Sequence, residues 1–239
     1  MSEAPIPKDA ATVILLRPVK PRGFEVLLTR RPAAMVFLGG MYCFPGGTLR
    51  DEDCSDAMLR RARGLTPKQA RAIVGAHFAP RKALGFWLAA IRELFEEVGV
   101  LLASKGNGER LTLGQAELGR MHSALLAKSL TFQTLLESED LFCDTVRLHY
   151  FSHWQTPPDV ATRFDTRFFL ASLPEDQTPL ARSREVMHSL WLTPDRALQL
   201  FAKAELPMIF PTFASLRTLA DFDTLDGVLR EFGRPATLS

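Results

Sequence analysis

The stretch Arg92-Glu93-Leu94-Phe95-Glu96-Glu97-Val98-Gly99-Val100 constrains this chain more than any other. Glu93, Glu96 and Glu97 stand at i, i+3 and i+4, so a helix would put all three carboxylates on one face within a turn of each other. Leu88, Ile91, Leu94, Phe95, Val98 and Leu102 follow the 3.6-residue period of a half-buried helix on the other face. Gly99 stands where a left-handed cap would stop that helix. Three like charges on one turn repel by about a few tenths of a kcal/mol per pair. The ordinary explanation is a solvated acidic face; a bound divalent cation would reverse the sign of the repulsion. Arg92 and Glu93 follow directly on a strongly apolar run, so their face borders a core and not open water.

Far upstream lies Phe44-Pro45-Gly46-Gly47, a tight turn where backbone can approach a ligand closely. Together the two pieces resemble the halves of a Nudix box, Gly-x5-Glu-x7-Arg-Glu-U-x-Glu-Glu-x-Gly-U with U aliphatic. The second half matches at Arg92, Glu93, Leu94, Glu96, Glu97, Gly99 and Val100. The first half departs from the pattern. Asp53 stands where the family has glutamate, and thirty-eight residues separate it from Arg92 where the pattern allows seven. A box interrupted in this way resembles the coenzyme A diphosphatase-like branch of the family, of the mammalian peroxisomal type and its bacterial relatives. An insertion that loops out between turn and helix adds little closure entropy.

The resemblance implies an α/β class fold, a Nudix α/β/α sandwich with a mixed β-sheet. It implies one domain over residues 1–239, with a loose arm at 1–9, a helical insertion at 54–83 and a helical cover at 104–143. The implied reaction is cleavage of the pyrophosphate bond in a nucleoside diphosphate linked to another moiety, with Mg²⁺ or Mn²⁺ as cofactor. Hard oxygen ligands suit those ions. Glu93, Glu96 and Glu97 are the implied ligands, joined by a backbone carbonyl of the glycine turn, with Gly47 as the position. Arg92 would orient the carboxylates by a bidentate pair. The general base stays open among Glu96, Glu97, Asp53 and Glu185. Gly46, Gly47, Arg30, Arg31 and Arg163 are candidates for substrate contact, the arginines against a surface-charge or ion-pair role. Coenzyme A or acyl-coenzyme A is the leading substrate, giving 3′,5′-ADP and 4′-phosphopantetheine. ADP-ribose, NADH or a dinucleoside polyphosphate would keep the chemistry and change the leaving group. Loss of the box carboxylates would point to a non-hydrolytic nucleotide sensor; all three are present.

Composition excludes other classes. Hydrophobic residues make up 46% and charged residues 23% of the 239, an ordinary globular balance. A net charge of +2 without a basic, aromatic-interleaved stripe argues against nucleic acid. No apolar run reaches the length of a membrane span, and no signal peptide opens the chain. Three cysteines without CxxC spacing (Cys43, Cys54, Cys143) fit a reducing cytoplasm and not a zinc site. A homodimer is compatible with the sequence and nothing in it decides the point.

Along the chain, Ala11–Arg17 and Phe24–Thr29 read as a β-hairpin around Pro21-Arg22-Gly23. Thr66-Pro67 opens a helix in the insertion, and Thr193-Pro194 opens another near the end. The insertion carries Arg60, Arg61, Arg63, Lys68, Arg71, Arg81 and Lys82, which face either an anionic substrate or water. Residues 113–130 and 131–141 read as cover helices with stripes Leu118, Met121, Leu125 and Phe132, Leu135, Leu136. Strands follow at 147–154, 167–173 and 185–192, with a last helix near 213–220. Arg163, Asp165 and Arg167 would share one side of an extended chain, as an ion-pair ladder or as phosphate ligands.

Overall fold

The computed structural model describes residues 5–35, 38–107, 109, 113–180 and 186–233. The chain opens with β1 (Lys8–Pro18), whose run Val13–Leu16 is buried on both faces. A strand covered on both sides takes apolar residues at successive positions, so it shows no period-two alternation. β2 (Phe24–Arg30) returns antiparallel, with Leu16 opposite Val26 and Pro18 opposite Phe24. Two short strands follow: β3 (Tyr42–Cys43) pairs with β2, and β4 (Gly46–Thr48) pairs with β1, so the glycines expected in a tight turn lie in a strand just after it.

The insertion follows as α1 (Asp56–Arg60), β5 (Ala62–Arg63) and α2 (Pro67–Val74). α3 (Pro80–Val98) is the helix that carries the acidic stretch. Pro80 at its first position is pre-set for helix entry. At the other end Gly99 caps it in the left-handed region at φ 70°, its N–H donating to the Phe95 carbonyl. Next come β6 (Ala103–Lys105), α4 (Gln115–Leu126), α5 (Phe132–Ser138) and β7 (Leu141–Asp144). The chain then returns to the main sheet as β8 (His149–Gln155), β9 (Phe164–Ser172) and β10 (His188–Leu192). It ends in α6 (Pro194–Ala202), α7 (Phe210–Leu219) and α8 (Leu225–Phe232).

The main sheet runs β10-β2-β1-β9-β8 and is mixed, because β1 pairs parallel with β9 and antiparallel with β2. Ala11, Val13 and Leu15 point to the face covered by α3, where Trp87, Ile91, Leu94 and Phe95 pack. Ile14 and Leu16 point to the opposite face, where Ala197, Leu216, Leu219 and Val228 from the three C-terminal helices close the core. This is the expected α/β/α sandwich.

Several boundaries differ from the sequence reading, each for a tertiary reason. The expected loose arm is already strand from Lys8, because Lys8, Asp9 and Ala10 pair with Phe164, Asp165 and Thr166. The same pairing starts β9 at Phe164 and not Arg167. The insertion holds the two-residue β5, which joins β7 and β6 in a second, three-stranded sheet. It ends before Pro80, so the box helix begins a full three turns ahead of Arg92. The 104–143 cover is helical only over α4 and α5; its ends are strands of that small sheet. The last strand is paired only from His188, opposite Arg30. Beyond the expected C-terminal helix, whose start moves forward to Phe210, α8 packs Val228 and Phe232 against the sheet.

Candidate active site

The acidic face of α3 meets the glycine turn. Glu93 and Glu97 are 6% and 5% exposed, and Glu96 is half-buried. The Gly46 N–H donates to Glu97 Oε2 at 3.3 Å. At Gly47 the backbone lies so close to Glu93 that a Cβ there would sit 2.6 Å from its carboxyl carbon. A side chain there would push the Glu93 carboxylate away.

Arg92 organises the cluster from within. Its Nε and Nη2 donate to the two carboxylate oxygens of Asp53, each at 2.8 Å. Nη1 donates to Glu93 Oε1 at 2.6 Å and to Glu96 Oε2 at 3.2 Å, and Nη2 also reaches the Thr48 carbonyl. Burial works against the Arg92 charge. The hydrogen bonds and charge of Asp53, with Glu93 and Glu96, outweigh it and lift its pKa above the usual guanidinium value. Burial pushes the Glu93 carboxyl up as well, opposed by Arg92. Asp53 is 1% exposed and lies in a single 3₁₀ turn, Asp51–Cys54, where its Oδ2 also accepts the Arg50 N–H. Its carboxylate is thus engaged on both oxygens. The shorter side chain reaches Arg92 because this turn brings it against α3.

Arg50 was not among the residues singled out in the sequence. Its Nη1 and Nη2 fork onto Glu96 Oε1 and Oε2 at 3.0 and 2.9 Å, with Glu93 Oε1 at 3.7 Å. The nearest sequence signal was an arginine between Gly47 and Asp53. His122 on α4 was missed too: its Nε2–H donates to the Glu96 carbonyl at 2.9 Å, tying the cover to the acidic turn.

A cavity of about 640 Å³ opens beside the cluster. It is lined by the acidic face with Arg50, Asp53 and Arg92, by the apolar Met58, Leu125, Leu126, Leu130 and Phe132, and by Glu52, Thr131 and Gln133. Lys128 stands at its edge, in the turn after α4.

The arginine candidates divide. Arg31 lies beside Cys43, and its Nε is buried without a partner. The Cys43 thiol is pushed up to about 11 by burial and by Glu97, against the pull of Arg31. Arg30 donates to the Gly40 carbonyl and stacks over Tyr42, whose hydroxyl meets His188. Arg163 holds the carbonyls of Thr156 and Pro5 and does not line the cavity. Arg167 pairs with Asp165 at 2.6 Å, its guanidinium against the rings of both Phe78 and Phe86. In the insertion Arg61, Arg63 and Arg71, and at the start of α3 Arg81 and Lys82, bind backbone carbonyls or nearby acids. Glu185 lies outside the described residues.

Fit to a divalent cation can be judged from the donors. Among the described residues no three His, Cys, Asp or Glu side chains are arranged as a ready cage. Arg92 and Arg50 hold Glu93 and Glu96 instead. The donor set is hard oxygen throughout, and the cradle at Gly47 brings main chain against Glu93. That chemistry fits Mg²⁺ or Mn²⁺.

A model of the NUDT19 Nudix domain matches residues 7–219. The chain belongs to that family. This Nudix domain is 28% identical over 267 residues to an acyl-coenzyme A diphosphatase NUDT19 of Gallus gallus, covering 92% of this chain and 69% of that protein. Against the Homo sapiens protein of the same name the identity is 29% over 239 residues, covering 87% and 64%. The chain therefore spans about two thirds of the length of these curated relatives. Among solved structures, a Nudix hydrolase from Alicyclobacillus acidocaldarius superposes with a TM-score of 0.74 at 28% identity, covering 95% of this chain and 96% of that one. The Nudix domain is a hydrolase of the pyrophosphohydrolase class. Among the described residues no helix is long and apolar enough to cross a membrane.

Proposed function

We propose that this Nudix domain cleaves the pyrophosphate bond of coenzyme A or acyl-coenzyme A, giving 3′,5′-ADP and 4′-phosphopantetheine, in a Mg²⁺- or Mn²⁺-dependent reaction. The observation that carries the reading is the meeting of Glu93 and Glu97 with Gly46 and Gly47, beside Glu96, at a cavity lined by both charged and apolar residues. The charged lining suits a diphosphate with its counter-ions, and the apolar lining residues suit an extended, less polar leaving group. The printed names of the chicken and human relatives support this substrate class.

A bound Mg²⁺ or Mn²⁺ would neutralise phosphate charge and lower the pKa of a coordinated water. Glu93, Glu96 and Glu97, with the Gly47 carbonyl, would hold it. Arg92 keeps the carboxylates on one side of α3 and is itself fixed by Asp53. In hydrolysis the water oxygen bonds to phosphorus, the bridging P–O bond breaks, and the leaving phosphate oxygen keeps the electron pair. The water proton passes to a carboxylate. Arg92 holds both Asp53 oxygens and Arg50 holds both Glu96 oxygens, so we assign that role to Glu97. Lys128 in the cavity lining, and Arg31 beside Cys43 just past β2, supply positive charge for the phosphates. Cys43, Cys54 and Cys143 are free thiols, which supports a reducing, cytoplasmic setting.

The deciding experiment incubates the protein with Mg²⁺ or Mn²⁺ and coenzyme A, acyl-coenzyme A, ADP-ribose, NADH or diadenosine polyphosphates, and reads products by mass. Release of 3′,5′-ADP with a phosphopantetheine is the expected result. Turnover of ADP-ribose or NADH alone would keep the chemistry and remove coenzyme A as substrate. No turnover of any of them, with metal bound, would point to a nucleotide sensor.

A further inference from the structure

Arg50 sits on the same loop as Gly47, with its backbone fixed and its side chain less so. The Asp53 carboxylate accepts the Arg50 N–H at 2.9 Å, which anchors the main chain. The side chain is 47% exposed and reaches across the cavity wall to α3. There it takes both oxygens of Glu96 in a planar fork, while Glu93 lies 3.7 Å away. Glu96 Oε2 is already shared with Arg92. One carboxylate thus answers two guanidinium groups, one buried and one at the surface.

We propose that Arg50 is a built-in counter-ion of the acidic face, competing with the divalent cation for Glu96 and, once displaced, pairing with a phosphate of the substrate. The proposal rests on the metal-dependent reading above. A cation ligated by Glu96 needs at least one of the oxygens Arg50 holds, and the two positive charges repel at contact distance. Displacement leaves a charged, half-exposed fork tethered at the cavity wall. A guanidinium there matches the paired oxygens of a phosphate in the way it matches a carboxylate. Arg92 cannot play this part, because it is buried and fixed on Asp53. Arg50 is accordingly a positioning residue that changes partner between the metal-free and the substrate-loaded states.

The test compares wild type with Arg50→Gln and Arg50→Lys by calorimetric titration of the metal-free protein with Mn²⁺. Arg50→Gln should bind Mn²⁺ roughly three- to fivefold more tightly, the size expected for removing a partly exposed bidentate competitor. Arg50→Lys keeps a charge without the fork and should fall between the two. In parallel, the metal-free Arg50→Gln protein should melt lower than wild type, and saturating Mn²⁺ should close that gap. With the substrate, Arg50→Gln should raise KM about tenfold with little change in kcat, the pattern of a lost phosphate contact. Unchanged or weaker Mn²⁺ binding in Arg50→Gln, with wild type binding normally, overturns the counter-ion role alone. A KM equal to wild type overturns the hand-over to phosphate. No Mn²⁺ uptake by any of the proteins removes the metal-dependent reading, and this inference with it.

Discussion

Glu97 presses on the Gly46 amide from a position 5% exposed, with its carboxylate beside the glycine turn. Glu97→Gln keeps the shape and removes the charge, so turnover should fall roughly 10²-fold or more while the melting temperature holds. A variant with more than half of the wild-type rate would take Glu97 out of the chemistry. Asp53 should behave in the opposite way. It is the partner of a buried arginine, and breaking such a pair costs about 3 kcal/mol at the low end, since Glu93 and Glu96 still face Arg92. Asp53→Asn should therefore lower Tm by roughly 6–12 °C in a chain of this size. Measured where the variant is still folded, its turnover should drop far less than that of Glu97→Gln. At this scale the second half of the box was legible because its residues are contiguous on one helix. The Asp53–Arg92 pair was not, since thirty-eight residues intervene and spacing says nothing across a looped-out insertion. Arg50 was hidden for a different reason: an arginine in a loop carries no periodicity.

The elements show how the insertion is held. β5 pairs with β7, and Arg63 donates to the carbonyls of Lys105 and Gly106 at 2.7 and 2.6 Å. At the junction Thr145 is fully buried; its hydroxyl accepts the Leu65 N–H at 2.8 Å and donates to the Arg63 carbonyl at 2.7 Å. Thr145→Val keeps the volume and strands two backbone groups away from water. The expected cost is about 1–3 kcal/mol. Thermal melting would show it as a drop of several degrees, and a melt superimposable on wild type would show that water reaches the seam. A cap made the second helix of the insertion legible: Thr66 caps α2 with Pro67 at its first position, and Gln69 completes a capping box. A two-residue strand has no period to read, so β5 and the small sheet it joins could emerge only from tertiary pairing.

For the whole molecule, the end of the sheet near Lys8 holds an ionic cluster. Arg167 pairs with Asp165 at 2.6 Å and approaches Asp9, while Asp9 meets Lys82 from α3 and His153 hydrogen-bonds Asp165 from β8. Burial alone would raise the Asp165 carboxyl. Hydrogen bonds from Arg167 and His153 outweigh it and hold it below the ordinary value of 3.8. A depressed carboxylate adds stability that is complete above 3.8 and disappears as pH falls through the folded value. Asp165→Asn should thus melt lower than wild type at pH 6, and the two curves should converge as pH drops below about 3.8. Curves that stay parallel down to pH 2.5 would show that Asp165 is not a source of acid sensitivity. The sequence left Arg163, Asp165 and Arg167 between a ladder and phosphate ligands; alternation fixes a side of a strand but not what faces it.

The parallel pairing of β1 with β9 has a consequence for how the chain is made. Lys8 lies against Phe164 and Leu16 against Ser172, so the central strand of the sheet meets its longest partner only after the insertion, α3, the cover helices and β8 have been made. During vectorial synthesis the apolar run Val13–Leu16 emerges early and can pair with β2, while its other edge waits. Non-local pairing of this kind folds slowly and leaves an unpaired strand edge on offer to other chains. A nascent chain halted before Phe164 should therefore be a client for a holding chaperone, and release should come with the residues of β9.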